Sequence, residues 1–286
     1  MSLPDAQAAV AAAEVRAHVE LRELTTLAEA QQAEWLLSAI WGRPVDAPTL
    51  ATDLLRAFST TGNYVAGAWR GDELLGAAVG IHGRCAERAY LYSVVTGVRS
   101  GDQTTHVGFA LKQHQRAWAL SRDLDLIRWT FDPLVRRNAY FNLTKLGAEV
   151  TGYHEDFYGP MNDDFNRGDE SDRCVVSWWI AGERAQNAAT GDMSLSVSDD
   201  VVDGLGTPIL TEGPDGDPVC HAASGPVVLA WVPDDIMAMR VRDPARARAW
   251  RLAARQTLGQ ALEGAYAGVA MMRSGWYLLE ARGSEG

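Results

Sequence analysis

The chain has 286 residues, 47% hydrophobic and 22% charged, an ordinary globular make-up with room for one large domain or two modest ones. Its 26 basic and 37 acidic residues leave a net charge of −11, so the chain has no general attraction for phosphate backbones and nucleic acid is not an expected partner. Cys85, Cys174 and Cys220 lie far apart without CxxC spacing, and the six histidines form no HxxxH or HExxH pair; buried free thiols are expected, and neither a disulfide framework nor a metal site.

Residues 1–14 read as a frayed, weakly helical lead, with Asp5 and Glu14 where a signal peptide has a basic start and an apolar core. No apolar run approaches ~20 residues, so no membrane span is expected and the location expected is cytoplasmic. Val15–Leu24 has strand character. Thr26–Ile40 has helical spacing, with Leu27, Ala30, Trp35, Leu36 and Ile40 recurring near one face. Pro48–Phe58 reads as a short helix with proline in its first turn. Tyr64–Arg70 and Glu73–His82 flank a Gly71-Asp72 turn, and Ala89–Val98 completes the meander. Gly108–Arg122 is a predicted helix, Leu124–Thr130 a strand, and Arg136–Leu146 a helix stopped by Gly147. After a polar loop, Gly159–Asp172, comes the apolar strand Cys174–Ile180. Ala181–Asp192 looks like a linker. Beyond it, Met193–Val197, Val227–Val232 and Trp276–Glu280 are strand-like, and Asp243-Pro244 opens a long helix to about Glu263.

The run VRSGDQTTHVGFALK, Val98 to Lys112, is the most telling stretch. A strand leads through a polar loop into a helix, and a helix N-terminus offers free N–H groups and a positive dipole end to a phosphate-bearing ligand. A plain polar loop before an amphipathic helix is the other reading.

Together with its neighbours this run resembles the GNAT superfamily of acyl-CoA-dependent N-acyltransferases, over residues 15–180. The family's cofactor loop, Q/R-x-x-G-x-G/A, corresponds to Gln103-Thr104-Thr105-His106-Val107-Gly108, preceded by Gly97-Val98 at the strand end. Asn138-Ala139 and Lys145-Leu146-Gly147 resemble the N-A-…-K-L-G signature of the later helix. WTFDPL, RNAYFN, YHEDFYG and SDR resemble a subfamily with an extra C-terminal region. The resemblance implies a mixed α/β fold with a mostly antiparallel central sheet flanked by helices, with residues 1–182 as the acyltransferase domain. From its size and amphipathicity, 183–286 is expected to be an α/β extension that packs on that domain or makes a dimer contact. The resemblance also implies acetyl-CoA or another acyl-CoA as co-substrate, with no metal. A small amine, with an amino acid as one candidate, would be the acceptor; a homodimer is a separate expectation, from the C-terminal region.

On this resemblance the cofactor contacts are Gly97, Val98, Gln103, Thr104, Thr105, His106, Val107, Gly108 and Phe109, with Asn138 near the pantetheine arm or serving as a helix cap. His106 stands where the family has glycine; a non-glycine residue in the left-handed region costs ~1–2 kcal/mol. It is a tolerated substitution that helps hold phosphate, a mark of altered cofactor use, or a surface histidine. The tyrosine that commonly protonates the leaving thiolate falls, by spacing back from Gly147, on Leu143. Tyr140, one turn earlier, is its substitute or a packing aromatic. Asp132, at a strand end where ligands gather, is a catalytic candidate or a turn-former; Glu155 and Asp156 are candidate bases or solvated loop residues. Arg137 and Arg173 would clamp a substrate carboxylate or pair with nearby aspartates. Trp178 and Trp179 read as core or interface aromatics. Arg246, Arg248, Arg251 and Arg255 read as an anion site or a solvated helix face.

Overall fold

Thr26 starts the first long sheet-covering helix with a reciprocal cap: Glu29 N–H donates to the Thr26 hydroxyl, and Glu29 Oε2 accepts from Thr26 N–H. The structure is a computed structural model describing residues 3–86, 88–102, 105–161, 168–191 and 204–283. The chain divides into two compact units, Met1–Trp129 with Trp179–Thr190, and Thr130–Trp178 with Gly191–Gly286.

In the first unit, β1 (Glu20–Glu23), β2 (Tyr64–Arg70), β3 (Glu73–Cys85) and β4 (Arg88–Val98) follow one another antiparallel, and β5 (Leu126–Phe131) joins β4 in parallel. β2 is buried on both faces up to Arg70, which is why its sequence is a continuous apolar run and not an alternating one. One face carries α2 (Leu27–Ile40) and α3 (Thr52–Thr60), whose Leu37 and Leu55 meet Val65, Trp69, Ala77 and Val79. Alternate residues of a strand point oppositely. Gly76, between these inward positions, faces α4 (Val107–Leu120) instead. A Cβ there would meet Leu111 Cδ1 at 2.9 Å and Val107 Cγ1 at 3.2 Å, so glycine lets the start of α4 settle close to β3.

The expected lead is a full helix, α1 (Leu3–Ala17), packed on α4 through Ala6, Ala13 and Ala17; alanine's small side chain leaves a weak pattern but a close contact. It takes up the first residues expected to be strand. Pro48 precedes α3 and does not open it. The expected linker holds α6 (Glu183–Thr190), with Ala185 and Ala188 buried.

The second unit contains α5 (Arg136–Tyr140), continued by a π-helical turn Phe141–Lys145, then β6 (Glu149–His154), β7 (Arg173–Trp179), β8 (Thr207–Glu212), β9 (Pro218–Cys220) and β10 (Val227–Trp231). α7 (Ile236–Arg242) and α8 (Pro244–Ala254) follow. A second π-helical turn, Arg255–Gly259, leads into α9 (Gln260–Glu263), β11 (Tyr266–Met271) and β12 (Trp276–Ala281). The strands lie in the order β7-β6-β11-β12-β10-β8-β9, parallel only between β10 and β8. Leu229, Ala270, Met272 and Leu278 form a core cluster. β6, β8, β9, β11 and α7 carry too little periodicity to be read from sequence. Asp243 caps α8 with Pro244 behind it, as its sequence predicts. Met193–Val197 lies outside the described residues. The mixed α/β class and mostly antiparallel pairing are as the sequence leads one to expect.

Among the described residues no helix is long and apolar enough to cross a membrane, and no group of three or more His, Cys, Asp or Glu could hold a metal ion. Cys174 is buried, but Cys85 and Cys220 are exposed, contrary to expectation; all three are free.

Candidate functional site

β4 has two unlike edges. Toward β3 it is paired as far as Val98, which stands opposite Gly76. The register slips between Val79↔Val95 and Gly80↔Ser93, leaving Val94 as an extra, exposed residue: a β-bulge. Toward β5 it pairs only at Leu91↔Ile127 and Tyr92↔Arg128. From Ser93 onward that edge takes no ladder partner among the described residues. It presents backbone donors and acceptors with which an extended chain carrying amides can pair.

The free edge runs into the phosphate-type loop. Asp102 anchors it: the carboxylate accepts from Arg99 Nη2 at 2.8 Å and Arg70 Nη1 at 3.3 Å, and its carbonyl accepts from Thr105 N–H at 3.1 Å. The Arg99 hydrogen bonds, with those of Arg70, hold the Asp102 carboxyl below the usual carboxylate range. Arg99 also bonds Glu73. Both arginines are thus engaged by carboxylates, and phosphate charge here would be met by backbone N–H groups and the α4 dipole.

His106 is the residue before the first turn of α4, at φ 64° and ψ 4°, the left-handed conformation for which the resemblance calls for glycine. Ala110 N–H donates to His106 C=O, so the N–H groups of Val107, Gly108 and Phe109 precede the helix's own hydrogen-bond series. A Cβ on Gly108 would meet only Val98 Cγ2, at 3.6 Å, so packing does not require glycine there. Gly97 differs: a Cβ would meet Trp41 Cζ3 at 2.7 Å and Ile40 Cδ1 at 2.9 Å. Its missing side chain makes room for the end of α2, whatever its backbone binds. Gln103 and Thr104 lie outside the described residues.

The remaining candidates belong to the second unit. Asp132 is buried and accepts four hydrogen bonds: from Leu134 N–H at 3.0 Å and Arg251 Nη1 at 2.9 Å on one oxygen, and from Arg251 Nη2 at 2.8 Å and Arg240 Nη2 at 2.5 Å on the other. Burial pushes its pKa up, but the Arg251 and Arg240 guanidiniums outweigh that and hold it well below the usual range. A carboxylate so occupied has no lone pair left for an amine's proton; it forms a turn and an ion pair.

Asp169 shares both arginines with Asp132. Arg255 bonds Asp172 at 2.7 Å and also pairs with Glu170, while Arg246 pairs with Asp217 and Arg248 with Glu170. The arginine face of α8 and its following turn therefore meets carboxylates, and Arg251 is fully buried, not solvated. The signal was present in sequence as arginines at near-helical spacing and the acidic run Asp169–Asp172, but nothing local links the two.

Glu155 is exposed and lies 3.3 Å from Arg255. Arg173 is buried; it donates to Asp172 C=O at 2.9 Å, and its guanidinium stands 5.3 Å from the Tyr158 ring centre. Arg137 and Asn138 are exposed on α5, where Val135 is the capping residue, so Asn138 is not the cap. Tyr140 is half-buried between two cations, Arg273 at 5.2 Å and Lys145 at 5.7 Å from its ring centre. Leu143 is fully buried inside the π-helical turn. Trp178 is buried with its indole N–H donated to Leu146 C=O, and Trp179 is exposed under Arg88.

No family model and no curated protein matches the sequence. Solved structures similar to part of it include a GNAT-family acetyltransferase from Streptococcus pneumoniae, 13% identical, with 56% of this chain on 98% of that one and a TM-score of 0.46. Aminoglycoside 6'-acetyltransferase type Ii is 15% identical over 56% of this chain and 97% of its own, with a TM-score of 0.45. The ribosomal-protein-S18-alanine N-acetyltransferase from Escherichia coli is 14% identical over 58% of this chain and 97% of its own, with a TM-score of 0.44.

Proposed function

We propose that the chain is a GNAT-type N-acyltransferase moving an acetyl or succinyl group from coenzyme A to a small amine, with an amino acid as the first candidate. The observation that carries this reading is the fork of β4 from β5, bulged at Val94 and running directly into the N-terminus of α4. The pantetheine arm of coenzyme A is extended and carries two amides, which suits the free edge from Ser93 to Val98. Its pyrophosphate suits the N–H groups of Val107, Gly108 and Phe109. A bound acyl-CoA supplies a thioester carbonyl for an amine to attack. The protein's share is orientation, since holding two reactants in place supplies much of such a rate.

In this reading Tyr140 is the proton donor to the leaving thiolate, and Asn138 and Arg137 are the exposed polar groups of the same helix. Asp132 and Arg173 are scaffold. Residues 1–182 form the acyltransferase segment and 183–286 its extension, in a cytoplasmic protein, as three free cysteines favour. Thermal unfolding with acetyl-CoA and succinyl-CoA tests the reading: saturation at ~100 times Kd adds ~2.7 kcal/mol, and no stabilisation by either thioester sinks it.

Leu143 supports a second reading, a CoA-binding regulatory protein without transfer activity, because the resemblance's acid position is apolar and fully buried. Stabilisation by the thioesters without thiol release over a panel of amines would favour it.

A further inference from the structure

Lys112 is 4% exposed on the sheet-facing side of α4. Its Nζ lies 2.8 Å from Ser93 Oγ and 3.1 Å from Gln115 Oε1, and 4.1 Å from the ring centre of Trp129. Ser93 is the first β4 residue past the last pair with β5, and Trp129 is the first β5 residue past it. The lysine therefore spans the apex at which the two strands part. Thr96 Oγ1, two residues past the bulge, and the amide nitrogens of Gln113 and Gln115 are buried without a hydrogen-bond partner. Packing alone would favour an apolar side chain here, which fills the same volume without desolvating an amine.

The ionisable groups of the surrounding elements are engaged elsewhere. Glu14 of α1 accepts from Leu21 N–H, and Glu23 of β1 from Trp118 Nε1. Tyr64 of β2 bonds His114, His82 of β3 lies against Trp118, and Arg128 of β5 stands over Tyr90. Arg116, on the same helix, donates to Ile180 C=O. With no carboxylate to offset it, burial pulls the Lys112 pKa down to about 7.

We propose that Lys112 is a positioning residue for acyl transfer, accepting the attacking amine's proton through the Ser93 hydroxyl at the apex of the β4–β5 fork. This rests on the acyltransferase reading above. As the amine nitrogen bonds to the thioester carbonyl carbon, the C–S bond breaks with its electron pair on sulfur, and the nitrogen gives one proton to Ser93 Oγ. The serine's own proton passes to neutral Nζ. The resulting ammonium faces the Trp129 ring and donates to Gln115 Oε1. It returns the proton to solvent before the next turnover.

The test compares wild type, Lys112→Met and Ser93→Ala. The measurements are thiol release from acetyl-CoA and succinyl-CoA with a panel of amino acids, calorimetric Kd for each thioester, and tryptophan emission against pH. Wild type should show a rate limb rising to a plateau with a midpoint near pH 7, and an emission change with the same midpoint. Both variants should lose about a hundredfold in kcat, keep thioester Kd within about twofold, and Lys112→Met should lack the limb and the emission change. Ser93→Ala keeps the lysine and carries the test if Lys112→Met does not fold. Variants that retain the rate and the limb overturn the role of Lys112 while leaving the acyltransferase reading intact. Wild type that binds neither thioester, or releases no thiol, overturns that reading and the inference with it.

Discussion

Arg251 and Asp132 meet fork to fork, Nη1 to Oδ1 at 2.9 Å and Nη2 to Oδ2 at 2.8 Å, with the guanidinium fully buried. Two parallel charge-assisted bonds fix both planes at once. Removing one partner leaves the other charged and buried, so Arg251→Met and Asp132→Asn should each cost about 3–5 kcal/mol in chemical denaturation. The double replacement Asp132→Asn with Arg251→Met should cost less than their sum. Equal, fully additive losses would mean the pair is not coupled.

Acid should unfold the protein through these carboxyls. Asp132 and Asp172 are both held below the usual range; burial opposes this, and Arg251 with Arg240 in one case and Arg255 in the other outweigh it. For a depressed carboxyl the stabilisation is complete above the unfolded value of about 4 and is lost as pH falls through the folded value. Stability should therefore fall steeply below about pH 4. In Arg251→Met the pH-dependent loss should begin at the same pH, which the unfolded chain sets, but be smaller and end sooner, because Asp132 then keeps less of what holds it ionised.

Lys112 gives a dependence of the opposite chemical kind. Its pKa is lowered by burial from 10.5 to about 7, so between those values the unfolded chain binds the extra proton and the folded chain does not. Stability should rise with pH across that window by about 1.4 kcal/mol per unit relative to Lys112→Met. Denaturation of both proteins at several pH values measures it, and parallel curves would show that the lysine titrates normally.

His106→Gly should relieve the left-handed strain and add up to about 1 kcal/mol of stability, part of which the freer unfolded chain takes back. Affinity for acetyl-CoA separates the sequence readings of this residue. It rises if the histidine is only tolerated, and falls if its ring holds phosphate.

Much of the first unit is legible in sequence because its elements advertise themselves locally. The Thr26 cap, the Gly71-Asp72 turn and the continuous apolar run of β2 each state their structure within a few residues. The second unit is harder. Its short strands are only partly buried, and the ion pairs of Asp132, Asp169 and Asp172 join residues 71 to 119 positions apart. In sequence Asp132 is a catalytic candidate as well as a turn-former, because its two arginine partners are chosen by the tertiary fold. Lys112 is hidden in sequence for a similar reason. A lysine on a helix signals solvent, and only the placement of Ser93 and Trp129 makes this one an interior group.

The π-helical turn at Phe141–Lys145 changes how the rest of its helix should be aligned. Leu146 N–H reaches back five residues to Phe141 C=O, so this turn holds one residue more than its α counterpart. The helix changes phase there, and a count made backward from Gly147 at α pitch drifts around the barrel of the helix. Leu143 is where that count lands. A comparison that superposes both ends of the segment must open a gap of one within it, and the residue brought opposite a relative's acid then differs from the one reached by counting.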